Sequence, residues 1–93
     1  TRFALGISGS NPGRGSVHLE AALPQLATLD VTVYGIQGGV VRHLLTQAQL
    51  PAGTHGLTWD GRDDRGAAIA GGVYFVRMRV GGAVHTQTVV LLR

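Results

Sequence analysis

A chain of 93 residues that is 44% hydrophobic and only 14% charged is too apolar for an intrinsically disordered protein, and it has room for one domain with one core. It lacks cysteine, which excludes disulfides and thiol chemistry, and no apolar run approaches the roughly 20 residues of a membrane-spanning helix. The formal charge of +3 comes from eight arginines scattered along the chain, whereas a nucleic-acid-binding protein gathers its basic residues into a patch. We therefore predict no membrane span and no nucleic-acid partner.

Seven segments have the alternating apolar and polar pattern, or the β-branched composition, of β-strands. In chain order they are residues 3–7, 17–22, 28–34, 40–46, 54–59, 73–80 and 83–92. Glycine pairs at Gly38-Gly39 and Gly81-Gly82 predict two antiparallel hairpins. Seven short strands separated by turn signals predict an all-β fold, a seven-stranded antiparallel β-sandwich of the immunoglobulin or fibronectin type III kind, formed by residues 1–93 as a single domain.

Two segments leave an alternative open. The repeat of an amphipathic helix also fits Val40, Val41, Leu44, Leu45 and Ala48, so residues 40–49 have a helical interpretation. It likewise fits Leu19, Ala22, Leu23 and Leu26. Pro24, the flanking glycines and the hairpin turn immediately before Val40 favour strands.

The segment 51–72 is the most informative part of the chain, because it holds the only tryptophan and three of the five acidic residues. We predict that Asp60 accepts backbone N–H bonds in an Asx-type turn and that Gly61 and Gly66 adopt positive φ. The chain would then use this segment to hold two strands in place.

A calcium site is the alternative for the acidic residues, since Ca²⁺ takes carboxylate and carbonyl oxygens. The candidates are Asp60, Asp63 and Asp64. Their spacing is not that of an EF-hand loop, and Arg62 and Arg65 beside them oppose a cation. We therefore expect no metal ion and no cofactor.

No residues stand in a catalytic arrangement. The four histidines His18, His43, His55 and His85 each occur singly on a predicted strand, no serine stands in a Gly-x-Ser-x-Gly turn, and neighbouring aspartates in one turn cannot flank a glycosidic bond. The sequence predicts that the domain is not an enzyme.

The aromatic residues have two interpretations, a core or a sugar-binding platform. Trp59 and Tyr74 each share a face with apolar neighbours, which favours the core. Phe75 shares its face with Arg77 and Arg79, which favours the surface.

Short motifs in a fixed order resemble a known family. They are Asn11-Pro12, Leu23-Pro24, Val33-Tyr34, the run Pro51 to His55, the run Trp59 to Gly66, the run Ala70 to Phe75, and Leu91-Leu92-Arg93. This set resembles the C-terminal immunoglobulin-like domains of the type IX secretion sorting group and the similar Ig-like domain of the flagellar hook-capping protein. Gly35 and Gly39 depart from the family pattern, which usually has Asp and Arg there. The positions expected to carry the structural motif are Asn11, Pro12, Trp59, Asp60, Gly61, Asp63, Gly66, Gly72 and Tyr74.

The resemblance implies a non-enzymatic C-terminal module of a larger exported bacterial protein, secreted or held at the cell surface. Its partners would be the upstream domains of that protein and the secretion machinery or cell envelope, with the last strand, 83–92, as the docking edge. The ending Leu91-Leu92-Arg93 favours secretion sorting or surface attachment. The alternative function is a structural part of a hook-cap-like scaffold, or a carbohydrate-binding module attached to a glycoside hydrolase.

Overall fold

The computed structural model describes residues 2–9 and 13–93, and these residues fold as strands, turns and loops. The strands are β1 (Ala4–Ile7), β2 (Gly13–Arg14), β3 (Val17–Leu23), β4 (Ala27–Tyr34), β5 (Val40–Leu50), β6 (Gly53–Trp59), β7 (Gly72–Val80) and β8 (Ala83–Leu92). The seven longer strands lie at the seven predicted segments, although β5 continues to Leu50, beyond its predicted end at Thr46. The all-β prediction is confirmed. The motif residues Asn11 and Pro12 lie outside the described residues. Within the described ranges there is no helix of the length and apolarity that crossing a bilayer requires.

The strands form two sheets. One has the order β1-β3-β6 and the other the order β2-β8-β7-β4-β5. All neighbouring strands are antiparallel except the two-residue strand β2, which runs parallel to the end of β8. The predicted hairpins are the β4–β5 and β7–β8 pairs. Of the seven longer strands, three form the smaller sheet and four belong to the larger sheet. In the larger sheet, β5 is the edge strand and pairs with β4.

Period-2 alternation determines which side chains form the core between the sheets. In β4, for example, Leu29, Val31 and Val33 are fully buried. The buried set is Leu5, Val17, Leu19, Ala21, Leu23, Leu29, Val31, Val33, Trp59, Val76, Met78, Val80, Val89 and Leu91. Trp59 has no exposed surface, and the ring of Tyr74 meets it edge-on with 5.1 Å between the ring centroids. The tryptophan is the largest side chain of the core.

The helical interpretation of residues 40–49 is wrong, because they lie within the eleven-residue strand β5. The pairing of β4 with β5 shifts register between Leu29 and Val31 and again between Val31 and Thr32. Irregularities of this kind interrupt strict alternation, and as a result Leu44 and Leu45 both pack against the core. Adjacent apolar residues at a bulged strand produce the spacing that resembles a helix.

The last strand is covered at its end. Leu91 of β8 pairs with β7 on one side and with β2 on the other, and Leu92 pairs with β2. The strand that the sequence suggested as a docking edge is therefore paired on both sides at Leu91.

Candidate functional site

The segment between β6 and β7, residues 60–71, is called the acidic loop below. Its first carboxylate, Asp60, accepts a hydrogen bond from the backbone N–H of Arg62 at 3.0 Å and one from the Arg42 guanidinium at 3.1 Å. The first bond makes an Asx turn. The second is an ion pair to β5, and the same Arg42 nitrogen lies 3.4 Å from the carbonyl oxygens of Arg62 and Asp63. Asp60 thus ties the start of the loop to the neighbouring sheet.

The second carboxylate organises the middle of the loop. Asp63 Oδ1 accepts the backbone N–H groups of Arg65 and Ala67 at 2.9 and 3.0 Å, while Gly66 reaches a φ of +86° to complete the turn. Charge-assisted bonds of this kind are about twice as strong as neutral ones. Asp63 thus ties the two ends of this turn together.

The third carboxylate covers the open edge of β5. Asp64 accepts the backbone N–H of His43 at Oδ1 (2.9 Å) and contacts its ring Nδ1 through Oδ2 (2.7 Å), and the N–H of Asp64 donates to the carbonyl of Val41 at 3.0 Å. Unpaired edge strands promote aggregation by pairing with other chains. The acidic loop satisfies this part of the β5 edge and so protects it.

Aromatic side chains support the loop from the core side. The indole Nε1–H of Trp59 donates to the carbonyl of Arg62 at 2.9 Å, and the hydroxyl of Tyr74 donates to the carbonyl of Ala70 at 2.6 Å. Buried tryptophan and tyrosine generally need such a partner for their polar atoms. In the described part of the chain, every buried side-chain nitrogen or oxygen atom has a hydrogen-bond partner.

Arg93 closes the loop from the other side. Its Nε donates to the carbonyl of Ile69 at 2.7 Å, and its Nη2 donates to the carbonyl of Gly61. Leu91, two residues earlier, is fully buried. The sequence pattern at 91–93 therefore has a structural role in the fold.

The three aspartates that were candidate calcium ligands turn to different parts of the chain. Asp60 contacts Arg42, Asp63 contacts the loop backbone and Asp64 contacts His43. Over residues 2–9 and 13–93, no three His, Asp or Glu side chains converge as a metal centre would require. The arrangement stabilises a loop.

The histidines occupy four different strands, β3, β5, β6 and β8. His18 Nδ1 lies 3.1 Å from the hydroxyl of Thr58, and His55 Nε2 lies 2.7 Å from the carbonyl of Pro51. These contacts are local to neighbouring strands and turns. The ring of His18 lies between two hydroxyl groups, those of Thr58 and Ser16, and both contacts lie on the exposed surface.

The family assignment follows from a match that spans most of the chain. The model of the FlgD Ig-like domain family matches residues 5–83. The chain belongs to this family. Its members take their name from FlgD, and the match covers both sheets, the acidic loop and the start of β8.

A solved structure agrees with the FlgD Ig-like fold. The crystal structure of FlgD from P. aeruginosa is 23% identical to this chain, covers 92% of it and superposes with a TM-score of 0.60. The chain spans 65% of the length of that protein. At this identity the likeness shows the fold. No curated protein sequence matches the chain.

Sequence reasoning missed the roles of Arg42 and Arg93, the two cations that bind the acidic loop from outside it. One signal was present. The loop contains three aspartates and two arginines, and this surplus of negative charge favours a cation from another part of the chain. Neither pairing could be assigned from the sequence, because the partners lie 18 and 32 residues apart.

The Asp64 contacts predict a specific pH dependence. The backbone N–H and then the ring of His43 donate to the carboxylate and lower the pKa of Asp64 below its ordinary value. A lowered folded-state pKa stabilises the fold above the unfolded-state pKa, and this stabilisation is lost as the pH falls through the folded-state pKa. We expect Asp64→Asn to lower the melting temperature at pH 7 and to lower it progressively less as the pH falls below the unfolded-state pKa of aspartate, because Asp64 then becomes protonated in the parent chain too.

Circular dichroism melts between about pH 7 and pH 2 test this expectation. The melting temperatures of the parent chain and of Asp64→Asn should approach each other as the pH falls below about 4, the ordinary pKa of aspartate. A constant offset between the two proteins over the whole range would contradict it.

Proposed function

We propose that this domain is a non-enzymatic structural module of a flagellar hook-cap-type protein and that it acts by presenting surfaces to neighbouring proteins. The observation that supports this proposal is the match of the FlgD Ig-like family model to residues 5–83. The domain would work outside the cell as part of a longer exported chain. The upstream domains of that chain would be its first partners.

The geometry of the acidic loop supports a structural role. A catalytic or ligand-binding residue must leave polar atoms free to contact its substrate. Here the carboxylates of Asp60, Asp63 and Asp64 accept hydrogen bonds from the chain itself. The polar side chains that the sequence singled out are thus used to hold the acidic loop in shape and to attach it to β5.

Secretion sorting is the competing role, suggested by the resemblance to the type IX sorting group and by the ending at 91–93. The family model that matches is that of the hook-capping protein. The contacts of Leu91 and Arg93 within the fold account for those residues without a receptor. We therefore propose the scaffold role and treat sorting as the outcome that an experiment must distinguish from it.

Deletion of residues 2–93 from the parent gene tests the proposal. In the bacterium that encodes the chain, we expect the deletion to abolish swimming and to remove completed hooks from the cell surface, because a scaffold without one module cannot support assembly. Cells carrying the intact gene, and cells carrying the loop variant Gly66→Ala, serve as controls that should swim. Normal hooks and normal swimming in the deletion strain would contradict the proposal.

A further inference from the structure

The outer face of the larger sheet carries an ordered arginine. The guanidinium carbon of Arg77, on β7, lies 4.6 Å from the centre of the Tyr34 ring on β4. Stacking on an aromatic ring attracts the cation and limits its rotamers. Arg77 therefore presents its N–H groups to solvent in a nearly fixed orientation.

Two hollows lie on either side of this stacked pair. The polar hollow, of about 310 Å³, is lined in part by Thr32, His43 and Arg79. The apolar hollow, of about 150 Å³, is lined in part by Ile36 and Phe75. Tyr34 and Arg77 contribute to both. Ile36 is 71% exposed, so the second hollow offers apolar surface that nothing in the described chain covers.

The charges on this face are not balanced. Neither Arg77 nor Arg79 forms an ion pair with any residue that the structure describes. Asp30 lines the polar hollow and lies opposite Arg79 in the β4–β7 register. Its oxygens accept hydrogen bonds from Gln47 at 2.9 and 3.0 Å, so its charge offsets one of the two arginines and leaves an excess of positive charge. Asp64, at the margin of the face, is bound to His43. The two guanidinium groups thus retain unused donors.

We propose that this outer face binds an extended segment of a partner protein that carries carboxylate side chains and, two residues away from one of them, an apolar side chain. Arginine donates two parallel hydrogen bonds to a carboxylate, which suits Arg77 and Arg79. Residues i and i+2 of an extended chain lie about 7 Å apart on one face, which matches successive rows of β7. The inference names a partner chemistry for the docking role proposed above and rests on it.

Nuclear magnetic resonance titration of the ¹⁵N-labelled chain tests the inference. The probe is a blocked seven-residue peptide with leucine at position two, aspartate at positions four and six, and threonine elsewhere. We expect amide shifts confined to β4, β5 and β7 around Thr32, Arg77 and Phe75. A matched peptide with asparagine in place of both aspartates should bind at least about tenfold more weakly, which corresponds to about 1.4 kcal/mol.

Two variants locate the binding determinant. Arg77→Gln should weaken binding of the aspartate peptide by about tenfold or more, whereas Arg65→Gln, on the acidic loop, should change it by less than about twofold. Circular dichroism establishes that each variant is folded. Arg79→Gln provides a second measurement on the same face if Arg77→Gln is unfolded.

Three results would overturn the inference. They are equal affinity for the aspartate and asparagine peptides, shifts centred on another face, and displacement of the peptide by an equal concentration of a thymidine octanucleotide, which would indicate a general polyanion surface. The titration measures binding and not hook assembly. A negative titration with impaired hooks in the deletion strain would reject this surface alone, whereas a localised titration with normal hooks would reject the scaffold role.

Discussion

Trp59→Ala is expected to destabilise the domain more than any other single substitution considered for this chain. The side chain is fully buried, packs edge-on against Tyr74 and donates to the carbonyl of Arg62. Removing a buried tryptophan costs about 3–5 kcal/mol through lost transfer energy and a residual cavity. Small domains have about 5–15 kcal/mol of stability in total, so this variant should be largely unfolded at moderate denaturant concentrations.

Guanidinium unfolding followed by far-ultraviolet circular dichroism measures the effect without depending on tryptophan fluorescence. Trp59→Phe is the matched control, because it keeps a ring beside Tyr74 and removes the N–H donor to Arg62. We expect this control to cost less, about 0.5–3 kcal/mol, because the ring is smaller and one hydrogen bond is lost to a carbonyl that also lies within reach of Arg42. A Trp59→Ala protein within about 1 kcal/mol of the parent chain would contradict the central role of this residue.

Gly61→Ala is expected to be the second most damaging change. Gly61 has a φ of +73°, where an L-residue costs about 1–2 kcal/mol. A Cβ at this position would also lie 2.9 Å from Arg93 Nη2, 3.0 Å from the carbonyl oxygen of Gly15 and 3.2 Å from a methyl carbon of Leu91. Overpacking adds about 1–3 kcal/mol, so the total cost should be about 2–5 kcal/mol.

Gly66→Ala separates the two causes. Gly66 has a similar φ of +86°, but a Cβ there meets no heavy atom within 4 Å. Only the conformational cost of about 1–2 kcal/mol applies to it. The free energies of unfolding of the two variants should differ by at least about 1 kcal/mol. Equal destabilisation would show that the contacts of Gly61 with Arg93 and Gly15 are unimportant.

The strands could be predicted from the sequence because the signal for each strand is local. In β4, Leu29, Val31 and Val33 alternate with polar residues, and this alternation predicts correctly that these three side chains face the core. The helical alternative was strongest in β5, where irregular pairing lets the adjacent residues Leu44 and Leu45 both pack inwards. A bulge depends on the partner strand, so it leaves no clear signal in one strand read alone.

The candidate site was predictable to the same extent. The Asx turn at Asp60 and the positive φ of Gly61 are properties of a few consecutive residues, and the structure has both. The ion pair of Arg42 with Asp60 and the contacts of Asp64 with His43 join residues about twenty positions apart. Such pairs form only when β5 lies beside the acidic loop. Neither the sequence of β5 nor that of the acidic loop, taken alone, indicates that the two lie side by side.

The same limit applies to the outer face of the larger sheet. Sequence alternation placed Phe75 on one face with Arg77 and Arg79, but the stack of Arg77 on Tyr34 requires the register of β4 with β7. Cross-strand neighbours are determined by pairing, not by chain order. The hollows on this face therefore emerged only from the assembled sheet.

The amount of protein exported by the strain that lacks residues 2–93 tests the scaffold role most directly. A structural module contributes to assembly after export, whereas a sorting module is needed for export itself. We predict that the truncated parent protein reaches the culture fluid in the same amount as the intact protein, while hooks are absent. Retention of the truncated protein inside the cell would contradict the account and favour a sorting function.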